Sequence, residues 1–307
     1  MLDADIRHLL DTVFNVLPSA GPPAIAALRA AGEAMPKLLG GAPEPVASCR
    51  DDAVPGVAGP IPVRIYRPAA AAPLPALVYA HGGGWVTGSL ESHDRLCRLL
   101  ANRLAACVMA VDYRCAPEHV FPAALDDVEA VWAWLQVHAA ALGVDGKRIA
   151  VGGDSSGANL AAALTLRLRA QQRPQPRAQL LLYPALDAAS ALPSYAAFAT
   201  GYSLTAAQMR WYWDTYRAGA PSTTPDLSPL ACADLAGLAP AVIAVAACDV
   251  LRDDGITYAQ RLRAAGTPVT LIDCTGMIHG FLRWTGAVPA ASTWLDGIAG
   301  ATRTQLG

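Results

Sequence analysis

Three short stretches of this sequence carry residues whose types and spacing suit nucleophilic attack on a carbonyl. The first runs from Arg148 to Leu160, where Gly153-Asp154-Ser155-Ser156-Gly157 lies between an apolar, strand-like run and an Ala/Leu-rich, helix-like run. Ser155 is the candidate nucleophile: a sharp strand-to-helix turn would project its Oγ above a sheet, and Gly153 and Gly157 leave room for it. The helix that follows points its first N–H groups at the same place, where negative charge would develop. The pentapeptide alone is weak evidence, because Gly and Ser are common turn residues; its setting gives it weight.

The second stretch is His81-Gly82-Gly83-Gly84-Trp85, directly after the apolar run Ala76 to Ala80. Three successive glycines are costly to order and pack no core, so the backbone itself must approach something closely. The amides of Gly83 and Gly84, joined by that of Ser156, could bind the oxyanion of a tetrahedral intermediate. The third stretch lies downstream, where the buried-looking run Ala241 to Ala247 ends at Cys248-Asp249 and the run Val269 to Ile272 leads to Gly276-Met277-Ile278-His279-Gly280-Phe281. Asp253 and Asp254 precede a helical pattern and would cap or charge its N-terminus. That leaves Asp249 as the better acid partner and His279 as the candidate base. The chain order Ser, Asp, His, each just after a strand, raises the weight of all three.

Together these residues resemble the hormone-sensitive-lipase-like (family IV) group of bacterial carboxylesterases within the α/β-hydrolase fold, whose oxyanion motif reads HGGG and whose serine turn usually reads GDSAG. Asp112 to His119, Phe121 to Asp127, Tyr183-Pro184, Gly201 to Thr205 and Asp249 to Asp253 extend the likeness over nearly the whole chain. Ser156 stands where Ala is usual and Ala158 where a second Gly is usual; neither departure removes a catalytic group. The resemblance implies a mostly parallel sheet flanked by helices, with a helical cap. It divides the chain into N-terminal cap helices (1–45), a first part of the catalytic domain (46–185), a cap insertion (186–227) and a second part (228–307), one structural unit. It also implies hydrolysis of esters with short or medium acyl chains, no cofactor and no metal.

Seven strand-like runs, centred on Val63 to Tyr66, Leu77 to Tyr79, Val108 to Val111, Ile149 to Val151, Leu180 to Tyr183, Val242 to Val245 and Val269 to Ile272, alternate with helical patterns. Such alternation predicts a parallel sheet covered on both faces. Outside it stand two amphipathic N-terminal runs, Ile6 to Leu17 and Pro23 to Leu39, broken at Pro18 and Gly21-Pro22, and the region Leu186 to Leu227 with its aromatic stripe Met209 to Tyr216. The stripe reads first as core packing and, through the resemblance, as a wall over the active site. Trp85 and Phe281 adjoin the glycine loop and His279 and are candidates to line the substrate pocket, with simple packing as the alternative. His81 is expected to brace the glycine loop, and Asp154 to bond nearby backbone; His93, His119 and His138 have no partner legible in the sequence.

Composition fits a water-soluble enzyme: 307 residues, 53% hydrophobic, formal charge −2. That charge leaves no electrostatic footprint for nucleic acid. The N-terminus Met1 to His8 lacks a signal-peptide pattern, and no apolar run reaches spanning length, so a cytoplasmic location without a stable membrane anchor is expected. Seven cysteines without a C-x-x-C pair are expected as small buried hydrophobes rather than disulfides. The expected partner is a small-molecule ester; a homodimer is left open. An amidase, lactonase or deacetylase could use the same three residues, and a non-catalytic small-molecule receptor is the alternative from another class, against which the retained His279 argues. A histidine base must be neutral to accept the serine proton, and ordinary histidines titrate near ~6.5, so activity is expected to rise through roughly pH 6 to 7 and then level off. A flat rate profile over that range would remove His279 from the role of base.

Overall fold

A computed structural model describes residues 1–14 and 24–307. Pro18, Gly21 and Pro22, read above as the break between two helices, lie outside the described residues. The strands are β1 (Ser48–Gly56), β2 (Gly59–Arg67), β3 (Leu74–Ala80), β4 (Cys107–Val111), β5 (Val144–Asp154), β6 (Gln179–Leu182), β7 (Ala241–Cys248) and β8 (Val269–Ile278). They form one sheet in the order β1-β2-β4-β3-β5-β6-β7-β8. The β1/β2 and β2/β4 pairs are antiparallel and all others parallel. The seven runs expected from the sequence correspond to β2 through β8. The strand that patterning missed, β1, is an edge strand exposed at Ser48 to Ala53 and carrying Pro55, so it shows no apolar alternation.

The helices are α1 (Ala4–Leu9), continued by a wider turn at Leu10–Phe14, α2 (Ile25–Leu39), α3 (Leu90–Leu104), α4 (Ala123–His138), α5 (Ser156–Ala170), α6 (Ser194–Ala197), α7 (Ala206–Arg217), α8 (Arg252–Ala264) and α9 (Pro289–Leu306). Successive side chains of one strand enter opposite cores. Val78 and Ile243 pack on the face covered by α4, α5 and α8, whereas Leu77, Tyr79 and Val242 pack on the face covered by α1, α3 and α9. Burial on both faces explains why these strands read as continuous apolar runs. Helix starts follow local chemistry: Ser89 with Ser92, and Thr205 with Gln208, close reciprocal capping boxes at α3 and α7.

Asp253 and Asp254 do lie in the first turn of α8, but their side chains do not cap it. Asp254, fully buried, accepts from the amides of Leu186 at 2.8 Å and Asp187 at 2.9 Å, and Asp253 accepts from that of Ser194 at 2.9 Å. These bonds moor the segment that leaves β6 on its way to α6 and α7. The cysteines also differ in part from expectation: all seven are free, Cys97, Cys107 and Cys274 are buried, Cys49 is exposed on β1, and the rest are half-buried. No helix among the described residues is long and apolar enough to cross a membrane.

Burial pushes the Asp254 carboxyl well above the usual carboxylate range, against the pull of its two amide donors. The stability held by its neutral form is complete below that range and is lost as pH rises toward the raised value, so the ionised form works against the fold. Asp254→Asn, which keeps an acceptor and cannot ionise, is expected to unfold within about 1 kcal/mol of the wild type at pH 7, while Asp254→Val, leaving both amides unpaired, should lose roughly 2–4 kcal/mol. Denaturant unfolding decides; an Asn variant as weak as the Val variant would mean that the charge itself is required.

Candidate active site

Ser155, Asp249 and His279 follow β5, β7 and β8, so all three leave the sheet at its carboxyl edge, where a parallel sheet opens toward ligands. His279 Nε2 lies 2.9 Å from Ser155 Oγ and Nδ1 lies 2.7 Å from Asp249 Oδ2. Asp249 is 1% exposed, and its other oxygen accepts from the Leu251 amide at 3.0 Å. Two bonds from opposite sides therefore fix the carboxylate, and the carboxylate fixes the imidazole.

Ser155 sits at φ 56° and ψ −118°, outside the ordinary regions for an L-residue. Strain of that kind costs about 1–3 kcal/mol and persists where neighbours over-determine it. They do so here: a Cβ on Gly153 or Gly157 would come 2.3 or 2.0 Å from the Ala80 carbonyl oxygen, so glycine alone lets the turn close against the end of β3. The Ser155 amide donates to the Leu182 carbonyl at 2.8 Å, which ties the turn to β6 as well.

The glycine loop lies beside this turn. Gly84 has φ 61°, and a Cβ there would come 2.2 Å from the Tyr212 ring, so α7 rests directly on the loop backbone. Arg29 of α2 donates to the Val86 carbonyl at 2.9 Å and pairs with Glu118 at 2.7 Å, and that pairing holds the Glu118 carboxyl down at about 2. Among the described residues, no hydrogen bond takes up the amides of Gly83, Gly84 or Ser156. A cavity of about 240 Å³ is lined by Gly83, Gly84, Ser155 and His279 below and by residues of α2 and α7 above.

The aromatic stripe of α7 divides. Trp213 and Tyr216 are core residues, their rings 4.3 and 4.5 Å from that of Trp85, while Met209 and Tyr212 line the cavity. Trp85 and Phe281 do not reach the cavity. Both are 0% exposed, Trp85 within that stack and Phe281 against Tyr183, whose ring meets His279 edge-on at 5.0 Å. Adjacency in sequence misleads here because residues distant in the chain, Trp213 and Tyr216 for Trp85 and Tyr183 for Phe281, pack against these side chains.

Sequence reasoning also passed over a buried network behind the serine. Asp154, 1% exposed, accepts from Tyr79 Oη at 2.7 Å and from the Gly82 amide at 2.8 Å, with His93 Nε2 at 3.1 Å. The carboxylate preceding Ser155 thus holds the start of the glycine loop, and His93 gains the partner that its sequence context did not reveal. Two signals were present: an acidic residue inside an otherwise apolar strand end, and a histidine on the apolar stripe of α3. His81 stacks on Tyr113 with ring centroids 4.2 Å apart, its Nδ1 2.9 Å from the Gly82 carbonyl, and burial lowers its pKa to about 3, so it stays neutral. His138 meets the Trp134 carbonyl on the surface, remote from this site.

Fold and site define a class: a doubly covered α/β sheet with a serine on a strained turn, a histidine bridging it to an aspartate, and an open glycine loop. The family described as alpha/beta hydrolase fold matches residues 77–283, and the chain belongs to it, within its hormone-sensitive-lipase-like group. The chain is 41% identical over 290 residues to the carboxylic ester hydrolase LipN of Mycobacterium tuberculosis, covering 92% of this chain and 77% of LipN. It is 41% identical to an ethyl acetate hydrolase of Pseudomonas putida, over 80% of this chain and 79% of that one. Among solved structures, an ester hydrolase from the metagenome of Lake Arreo, complexed with a bipyridine phosphonate derivative, aligns with TM-score 0.94 at 38% identity over 99% of both chains. The esterase of Pyrobaculum calidifontis aligns with TM-score 0.91 at 36% identity over 99% of both.

Burial by itself would raise the Asp154 carboxyl, but the charge and hydrogen bond of His93, the field of Arg283 and the Tyr79 hydroxyl hold it well below the usual carboxylate range. A depressed carboxyl contributes stability that is present above its unfolded value and lost as pH falls toward its folded one. The thermal midpoint of the wild type should therefore exceed that of Asp154→Asn at pH 7, and the gap should narrow below about pH 4. A gap that stays constant down to acid pH would mean that shape, not charge, holds the network.

Proposed function

We propose that this chain is a serine carboxylesterase in which Ser155 Oγ attacks an ester carbonyl while His279 Nε2 takes its proton. Membership of the family and esterase relatives at 41% identity make it a hydrolase that acts on esters. The mechanism rests above all on the Ser155–His279–Asp249 hydrogen-bond chain. Asp249 keeps Nδ1 protonated, presents Nε2 as the acceptor and favours the imidazolium that forms. The oxyanion is received by the amides of Gly83, Gly84 and Ser156, of which the last stands at the N-terminus of α5. His279 then returns the proton to the departing alcohol, and water, deprotonated by the same nitrogen, releases the acid.

The elements above the cavity, α2 and the segment through α7, act as the cap expected for 1–45 and 186–227. Their part is to exclude water and shape the acyl site. A cavity of about 240 Å³ supports short or medium acyl chains, since sites for larger ligands run to roughly 300–1,000 Å³. Esters suit the site better than amides because an alkoxide leaves without the protonated nitrogen that amide cleavage demands.

A p-nitrophenyl ester series from acetate to palmitate, measured on the wild type and on Ser155→Ala of verified fold, tests this reading. Turnover is expected to peak at short or medium chains and to fall by at least about 10⁴-fold in the variant, as for removal of a serine that acts as one unit with its histidine. Activity surviving in Ser155→Ala would assign the nucleophile elsewhere, and a wild type inert toward the whole series would shift the reading to amides, lactones or pure binding.

A further inference from the structure

Arg283 is the cation that the proposed mechanism does not use. It closes the short helical turn Phe281–Arg283 just beyond His279 and lines the same cavity as Ser155. Among the described residues, no hydrogen bond or ion pair reaches its guanidinium, and its Nε is buried without a partner. By contrast, other half-buried arginines have a carboxylate partner: Arg114 pairs with Asp127 at 2.8 Å and Arg167 with Asp126 at 2.7 Å. Arg283 is placed deliberately by its neighbour: a Cβ on Gly280 would come 3.1 Å from Arg283 Nη2, so the guanidinium folds back over the residue that follows His279.

The nearest acid along the cavity wall does not satisfy it. Asp154 shares the lining, but its Oδ1 accepts from Tyr79 and Gly82, His93 Nε2 lies 3.4 Å from its Oδ2, and among the described residues no ion pair joins it to Arg283. A planar fork of five donors, partly withdrawn from water and facing a cavity, lacks a bidentate acceptor, and a carboxylate has the matching geometry.

We propose that Arg283 binds a free carboxylate on the substrate, so that the preferred esters are monoesters of short dicarboxylic acids. The proposal rests on the esterase reading above and specifies its substrate class. The reaction balances as an ordinary hydrolysis: the C–O bond of the ester breaks, water supplies hydroxyl to the acyl carbon, the alcohol leaves with a proton, and a dicarboxylic acid is released. The apolar part of the wall, with Leu28, Met35 and Trp284, would hold the alcohol portion.

The test pairs each hemiester with a neutral ketone isostere: monoethyl succinate with ethyl 4-oxopentanoate, and monoethyl glutarate with ethyl 5-oxohexanoate. The wild type is expected to hydrolyse the better-fitting hemiester at least as efficiently, by kcat/KM, as its isostere. In Arg283→Met the hemiester-to-isostere ratio should fall about 10- to 100-fold, the loss of a charge-assisted pair, and in Arg283→Lys by less, because charge survives without the fork. A ratio that moves by under about threefold in both variants, well short of a charged hydrogen bond, would overturn the proposal and leave Arg283 as a counter-charge for Asp154. So would a wild type that favours the isosteres at both lengths.

Calorimetric binding of the two hemiesters to Ser155→Ala separates this proposal from the reading on which it rests. Heats of binding that vanish in Ser155→Ala/Arg283→Met support the Arg283 assignment even if the wild type is inert toward the hemiesters and the p-nitrophenyl series alike, in which case the esterase reading alone fails. Equal binding by the two proteins overturns the assignment and leaves the esterase reading standing.

Discussion

The close approach of the Ala80 carbonyl to the turn around Ser155 is the contact on which the site depends. The end of β3 and the β5-to-α5 turn meet with no side chain between them, because residues 153 and 157 are glycines whose Cβ positions the carbonyl already occupies. That contact holds Ser155 at its positive φ, aims Oγ toward His279, and brings the glycine loop that follows β3 alongside the N-terminus of α5. Were either glycine given a side chain, the turn and the loop would have to separate, and Ser155 and the candidate oxyanion donors would lose their common centre.

A second layer of fixation is polar and buried. Asp154 spans from the serine turn to the Gly82 amide, and its cost of burial is offset by Tyr79, by His93 and by the field of Arg283. A carboxylate in this position would be ruinous if unpaired. Fully engaged, it makes the glycine loop and the serine turn a single rigid unit. Asp254 does a comparable service with its carboxyl shifted upward by burial, mooring the segment that leaves β6. The two carboxyls differ because Asp154 accepts from the Tyr79 hydroxyl beside His93 and in the field of Arg283, whereas the hydrogen-bond donors to Asp254 are main-chain amides alone.

The covering helices reach the site through backbone rather than through catalytic side chains. Tyr212 rests on Gly84, and Arg29 holds the Val86 carbonyl, so movement of α2 or α7 would be felt first by the glycine loop. Closure of the cavity and order in the loop are therefore linked physically.

What the sequence determined by itself was local: the alternation of buried strands and helices, the glycine-flanked serine, the glycine loop, and an acid and a histidine each placed just past a strand. Those features are legible because they depend on period, turn chemistry and chain order, which neighbours in sequence carry. The edge strand β1 escaped because its residues from Ser48 to Ala53 are exposed, so burial imposes no apolar alternation on them. Burial of Trp85 and Phe281, the pairing of Asp154 with His93, and the split of the α7 stripe into core and cavity faces were decided by tertiary structure. Each depends on which residues from tens or hundreds of positions away come to cover a side chain, and a one-dimensional pattern does not encode which elements those will be.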